Sequence, residues 1–191
     1  MMPTLYIIAG PNGAGKTTAA YSLLPEIFTA VEFVNADEIA KGLSPLNPEG
    51  VAFEAGRIML RRLNQLINEK KNFAFETTLS GLAYLKFIEQ AKAEGFEVVF
   101  FFVHLHSFQL AQNRVAFRVQ NGGHNIPPEV IERRYNKGLR NFITYQLLAN
   151  DWYVFDNSGM EYVPVARGIA SDTEIYNFEI YQKLVTYGKG E

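Results

Sequence analysis

No cysteine occurs in the chain, so neither a disulfide framework nor a thiolate metal site can hold this fold, and the redox chemistry of a compartment leaves no mark on it. Long hydrophobic runs are lacking as well. The longest, Val98 to Val103, is far shorter than the roughly 20 residues that a bilayer-spanning helix needs. The start, Met1-Met2-Pro3-Thr4, has none of the basic residues that open a secretory leader. A soluble cytoplasmic protein that meets no membrane is therefore expected. Charge of one sign is also scarce. A formal net charge of −2 and a pI near 6.0 argue against a track for nucleic-acid phosphates and for a small-molecule substrate. Repeats and low-complexity tracts are missing. The 191 residues, 48% of them hydrophobic, suffice for one core, so a single domain over 1–191 is expected.

What is present begins with AGPNGAGKTT, residues 9–18, which follows the apolar run Leu5 to Ala9. Gly10, Gly15, Lys16 and Thr17 meet the spacing G-x-x-x-x-G-K-T of a phosphate-binding loop between a strand and a helix. Glycines permit the tight turn, successive N–H groups converge into an anion nest, and the following helix adds the positive end of its dipole. The expected nucleotide-binding set is Gly10, Pro11, Asn12, Gly13, Ala14, Gly15, Lys16, Thr17 and Thr18. Lys16 reaches the β- and γ-phosphates and Thr17 holds Mg²⁺, so ATP and Mg²⁺ are the expected cofactors.

Short apolar runs alternate with longer amphipathic segments along the whole chain, the pattern of an α/β fold with a parallel sheet buried between helices. A helix from Gly15 to Leu24 should stop before Pro25, and Val31 to Val34 should form a strand ending in Asn35-Ala36-Asp37-Glu38. Ligands gather at the carboxyl ends of such strands. There Asp37 can take a proton from an attacking hydroxyl or order Mg²⁺ and its waters; alternatively it caps a helix starting at Glu38 or Ile39. A helix over Pro48 to Glu69 carries a core face of Ala52, Ala55, Met59, Leu63, Leu66 and Ile67, with Arg57, Arg61 and Arg62 as a solvated surface, unless Arg57 looks toward the substrate. Phe73 to Phe75 reads as a buried strand running into Glu76-Thr77-Thr78-Leu79-Ser80-Gly81. If this stretch stays extended, Glu76, Thr78 and Ser80 face one side and offer a hydrogen-bonding wall to a hydroxyl-rich ligand; otherwise they satisfy the start of the helix Ala83 to Glu94.

Val98 to Leu105 reads as a central strand with His104 and His106 at its end. H-x-H places both rings on one side, as zinc would want, but no third ligand is marked, so packing or hydrogen bonding is the expectation. Ser107 caps a helix over Phe108 to Gln120 with Arg114 and Arg118 on one face. Asn121-Gly122-Gly123-His124 forms a joint, and Pro127-Pro128 opens a helix that reaches Asn150 and carries Arg133 and Arg134. Helix, joint, helix, with arginines converging, is how a mobile lid over about 107–140 is built. Arginine suits it because its planar fork binds phosphate oxygens in pairs. Trp152 to Phe155 gives a fifth strand. Its terminal Asp156 looks like a Mg²⁺-binding aspartate, but it falls on the sheet's far side, where a turn near the adenine is the preferred reading. Tyr162 to Ile169 reads as a further strand and Thr173 to Tyr187 as a helix burying Ile175, Phe178, Tyr181, Leu184 and Val185.

Taken in order, GPNGAGKTT, FVNADEIA, LNP, AGR, FAFETTLSG and RVAFRVQNGGHNIPPEVIERRYNKGLRNF, over about Tyr6 to Ser158, resemble the zeta-toxin-like P-loop kinases. The resemblance implies a three-layer P-loop NTPase fold with about five parallel strands ordered 2-3-1-4-5 and a helical lid. It also implies transfer of the γ-phosphate of MgATP to a hydroxyl, which for the toxins belongs to UDP-N-acetylglucosamine, and an antitoxin as a possible protein partner. The family's catalytic aspartate falls on Asp37, its substrate-binding glutamate and threonine on Glu76 and Thr78, and its loop lysine on Lys16. Two lid arginines of related kinases fall on Arg114, for the nucleotide, and Arg118, for the γ-phosphate. The toxins' second lid arginine falls near His124, which joins Asn35 and Ser80 in the expected acceptor set, and their Glu-Gly-Thr-x-Arg pattern becomes Glu76-Thr77-Thr78-Leu79-Ser80, one arginine fewer. Two other classes fit the phosphate loop: an ATPase or switch module acting on a protein partner, and a kinase for nucleic-acid ends.

Overall fold

The first strand, β1 (Thr4–Ala9), turns Leu5, Ile7 and Ala9 to one face and Ile8 to the other, and all four are buried. A strand without a wet face belongs in the middle of a sheet covered on both sides. The computed structural model, which describes residues 2–23, 32–123, 125–169 and 172–189, puts it there. After β1 come α1 (Lys16–Leu23), β2 (Glu32–Val34), α2 (Ala36–Leu43), a 3-10 turn (Pro48–Val51), α3 (Ala52–Asn68), β3 (Phe73–Thr77) and α4 (Ala83–Ala93). Then follow β4 (Glu97–His104), α5 (Phe108–Gln120), α6 (Pro128–Gln146), β5 (Asp151–Asp156), β6 (Val163–Ile169), β7 (Asp172–Ile175) and α7 (Phe178–Lys189). The expected Leu24, Pro25 and Val31 lie outside the described residues.

The sheet order is β2-β3-β1-β4-β5-β6-β7. Its first five strands are parallel and follow the expected 2-3-1-4-5, but there are seven strands, not five. The six residues between β5 and β6 are too few for a parallel crossover, so the chain turns back and β6 and β7 add as antiparallel hairpins. The helix expected from Thr173 is thereby cut short. Thr173 and Ile175 pair with Gly168 and Ala166, and Asn177 caps α7 with its Oδ1, which accepts from Ile180 N at 3.1 Å. Of its expected core face, Leu184 is buried and Tyr181 stacks on Trp152 at 5.6 Å, while Ile175 and Phe178 are exposed. α6 ends at Gln146, short of Asn150, because Asn150 instead pairs with Val98 of β4 through both backbone and side chain.

One face of the sheet carries the main core. Phe73 and Phe75 pack edge-on against Phe87 of α4, and Phe100 and Phe102 pack against Phe142 of α6. Each such ring contributes about 1.5–3 kcal/mol on burial. On the other face Ile8 and Ala74 meet Ala20 of α1. Because β1 to β5 run in one direction, residues 9–17, 35–37, 76–81, 104–107 and 156–158 all emerge at one edge.

Candidate functional site

Ala9 ends β1 and the chain turns through Gly10, Gly13 and Gly15, all at positive φ. At Gly13 (φ 75) and Gly15 (φ 81) a side chain has no room. A Cβ on Gly13 would stand 2.9 Å from Ala111 O, and one on Gly15 2.6 Å from the Tyr162 hydroxyl. The loop folds round Lys16, whose Nζ donates to Pro11 O at 2.9 Å and lies 3.4 Å from Glu76 Oε1. Thr17 Oγ1 donates to Glu76 Oε2 at 2.7 Å, and Asn35 Nδ2 donates to the same oxygen at 2.9 Å. One carboxylate from β3 thus gathers the loop's lysine, its threonine and the residue that starts α2. Glu76 is there because β3 is the direct neighbour of β1, with Ala9 opposite Thr77. Asn12 is also buried in the loop, and its Oδ1 has no hydrogen-bond partner among the described residues.

Asn35, not Asp37, caps α2: Asn35 Oδ1 accepts from Asp37 N at 2.8 Å. The Asp37 carboxylate is left to line a cleft of about 240 Å³ together with Asn35, Glu76, Thr78, Ser80, Tyr84 and Arg134. Burial, and then the negative charge of Asp37 facing it, push the Tyr84 phenol above its usual range. Thr78 and Ser80 do reach the same cleft, but not as an extended strand. Leu79 sits between them at φ 55, a left-handed conformation that costs about 1–2 kcal/mol. The loop is held in it by Thr77 Oγ1, which accepts from Leu79 N, by Asn141 Nδ2, which donates to Leu79 O, and by the Thr78 hydroxyl, which donates to Ser80 Oγ at 3.0 Å.

A family model described as Zeta toxin matches residues 1–163. The chain belongs to the Zeta toxin family. It is 32% identical to an uncharacterized protein of Haemophilus influenzae over 127 residues, which are 66% of this chain and 88% of that one. A cytidylate kinase of Saccharolobus islandicus is 26% identical over 161 residues, 80% of this chain and 79% of that one. Among solved structures, a chain of the AvrRxo1-ORF1:AvrRxo1-ORF2 complex with sulphate ions superposes with a TM-score of 0.80 at 19% identity, over 97% of this chain and 64% of that one. The present chain therefore spans less than two thirds of that neighbour's length. A chain of the PezAT toxin–antitoxin system of Streptococcus pneumoniae gives a TM-score of 0.66 at 15% identity, over 100% of this chain and 80% of that one. At these identities the two structures show a shared fold, and membership of the Zeta toxin family makes the chain a phosphotransferase of the P-loop kinase type.

Within this Zeta toxin member, the two arginines of α5 are unequally placed. The stem of Arg114 lies against Gly13, with a Cβ there 3.2 Å from the Arg114 Cβ, and Arg114 Nη2 donates to Gly159 O at 2.9 Å. Arg118, one turn along α5, is exposed and its stem crowds Gly123. Arg57, Arg61 and Arg133 are exposed, and Arg62 pairs with Glu32 of β2. Thr18 is exposed on α1. His124 lies outside the described residues.

Two contacts to the loop had no signal in the sequence. Asn157 Nδ2 donates to Ala14 O at 2.9 Å and Tyr162 Oη donates to Gly15 O at 2.8 Å, so the link between β5 and β6 holds the loop from outside. Asp156 turns away from the loop: its Oδ1 lies 2.8 Å from His104 Nδ1 and accepts from the Ser158 hydroxyl at 2.6 Å. Burial alone would raise this carboxyl, but the bonds from His104 and Ser158 outweigh it and hold it below its ordinary value. Among the described residues no group of three or more His, Cys, Asp or Glu side chains could hold a metal ion.

Proposed function

We propose that the protein is an ATP- and Mg²⁺-dependent small-molecule kinase that transfers the γ-phosphate to a hydroxyl, with a nucleotide sugar such as UDP-N-acetylglucosamine as the acceptor class to test first. The observation that carries the reading is the Glu76 carboxylate, which ties Lys16 and Thr17 of the phosphate loop to Asn35 and so sets the donor end beside the Asp37 cleft. The residues fit both ATP and Mg²⁺. Positive-φ glycines leave a side-chain-free cradle for polyphosphate, and the adjoining oxygens of Thr17 and Glu76 suit a hard cation that keeps most of its water. When bound, Mg²⁺ neutralises charge on the β- and γ-phosphate oxygens.

The chain's own residues do the rest by placement and charge. Thr78, Ser80 and Asn35 orient the acceptor, and Asp37 takes the proton of its hydroxyl. That oxygen forms the bond to the γ-phosphorus while the bond to the β–γ bridging oxygen breaks, and Lys16 stabilises the charge on the departing diphosphate. Arg114 holds the nucleotide beside Gly13. Arg118 reaches the γ-phosphate once α5 closes about the Asn121–Gly123 joint. The structural neighbour AvrRxo1-ORF1:AvrRxo1-ORF2 is also known with ATP, and both it and PezAT are described with partner proteins, which supports ATP as donor and an antitoxin-like partner here. The net charge of −2 weighs against the nucleic-acid-end reading, which needs a track for backbone phosphates.

The test is transfer of label from γ-labelled ATP to a panel of hydroxyl acceptors led by UDP-N-acetylglucosamine. Asp37→Ala should lower transfer about 10²–10⁴-fold while ATP binding stays within a few-fold. A variant that transfers as fast as the wild type to every accepted compound removes Asp37 as the base.

A further inference from the structure

We propose that Arg134 recognises an anionic group on the acceptor, so that the compound phosphorylated here carries a phosphate or carboxylate next to the reacting hydroxyl. The proposal rests on the kinase reading above and names the chemistry of its acceptor.

Arg134 is placed by a row of fastenings along α6. Gly138, Asn141 and Tyr145 follow it at steps of four, three and four residues and so share its helix face. A Cβ on Gly138 would stand 2.5 Å from Thr78 O, Asn141 Nδ2 donates to Leu79 O at 2.7 Å, and Tyr145 Oη donates to Gly81 O at 2.7 Å. The helix is thus fixed against the strained loop that carries Thr78 and Ser80, and the next residue of the row enters the cleft.

Among the described residues that line this cleft, Arg134 is the one cation, against the carboxylates of Asp37 and Glu76. Glu76 is already bonded by Lys16, Thr17 and Asn35, so Arg134 is not there to satisfy it. Glu49 Oε1 lies 3.7 Å from Arg134 Nη1, beyond hydrogen-bond reach, although the Arg134 side chain is only 19% exposed. Removing a guanidinium with five donors from water is unfavourable unless an anion meets it in good geometry. A neutral polyol would need only hydroxyl and carboxylate partners, which Asp37, Thr78 and Ser80 supply. A planar fork facing the cleft, with its ion-pair partner Glu49 at 3.7 Å, is suited to take a phosphate or carboxylate of the acceptor in paired hydrogen bonds. The cleft, about 240 Å³, is small beside the roughly 300–1,000 Å³ of sites that enclose a drug-sized ligand, so the anion is attached directly to the moiety bearing the hydroxyl.

The experiment uses the full chain saturated with Mg²⁺ and AMP-PNP, so that the phosphate loop is filled, and titrates inorganic phosphate in one arm and acetate in the other by calorimetry. Binding of one anion is expected, the tighter arm identifying phosphate or carboxylate as the group read. Arg134→Met should weaken it roughly tenfold or more and Arg134→Lys by less, with AMP-PNP affinity unchanged and the exposed neighbour variant Arg133→Met behaving as wild type. Equal anion affinity in Arg134→Met and wild type overturns the proposal. So does no second anion in a wild type that binds MgAMP-PNP, and so does a loss confined to AMP-PNP affinity, which would assign Arg134 to the donor. Failure of the wild type to bind MgAMP-PNP would instead overturn the kinase reading itself.

Discussion

Replacing Glu76 by Gln keeps its shape and removes one charge from the point where four residues meet. Lys16 Nζ stands 3.4 Å from Glu76 Oε1, and the two side chains are 5% and 10% exposed. At an effective dielectric of about 20 their attraction is about 5 kcal/mol, much of it offset by desolvation. Breaking a buried pair by neutralising one partner costs about 3–5 kcal/mol. Lys16 keeps Pro11 O, and a Gln oxygen can still accept from Thr17 and Asn35, so we expect a loss at the lower end, about 3 kcal/mol, in the ligand-free protein. Urea unfolding reads this directly. Nucleotide binding should change in the opposite direction when metal is absent. With EDTA present the phosphates no longer compete with a carboxylate for Lys16, and a fluorescent ATP analogue should bind more tightly to Glu76→Gln than to wild type. The gain that Mg²⁺ brings to wild-type binding should be mostly lost, and phosphoryl transfer should fall about 10²–10³-fold. A variant with wild-type metal dependence and wild-type transfer would refute the reasoning, as would metal-free affinity that falls.

Asn157→Ala removes the bond to Ala14 O and should raise KM for ATP about 5–10-fold while KM for the acceptor is unchanged; steady-state kinetics with each substrate varied in turn distinguish this from general destabilisation, which would lower the active fraction without separating the two. At high pH, burial, and then the charges of Tyr187 and Asp156, push the Tyr135 phenol up to about 12 from an ordinary value of 10.0. The folded state therefore resists its ionisation. Its share of stability is complete below pH 10.0 and is lost as the pH climbs toward 12, so Tyr135→Phe should flatten the alkaline fall in urea-unfolding free energy over that window, at the cost of the bond to Leu105 O at every pH.

Much of the site was legible because strand ends can be read locally. An apolar run followed by polar residues marks the carboxyl end of a buried strand, and Asp37, Glu76, Thr78 and Ser80, which line one cleft, all stand just past such runs. The phosphate loop was legible for a stronger reason: glycine at three positive-φ positions and a lysine at fixed spacing are backbone requirements, independent of the rest of the chain. Helix starts were less secure. Asn35 and Asp37 are both good caps, and only the helix's actual first turn shows that Asn35 takes the cap and leaves Asp37 to the cleft.

By itself, then, the sequence determined the first five strands, most of the helices and the set of polar residues at one edge, because periodicity and turn chemistry act over a few residues; the order of the parallel core came only with the family resemblance, and the strand β7 was read as helix. The tertiary structure decided which of those residues meet. It placed Glu76 rather than Asp156 at the loop because β3, and not β5, lies beside β1. It brought Asn157 and Tyr162 to the loop's backbone from more than 140 positions away, and it set Arg134, one of several arginines with equal claim in the chain, into the cleft beside Asp37. The reason is physical: strand pairing and helix docking fix distances between groups far apart in the chain, and no local pattern carries that information.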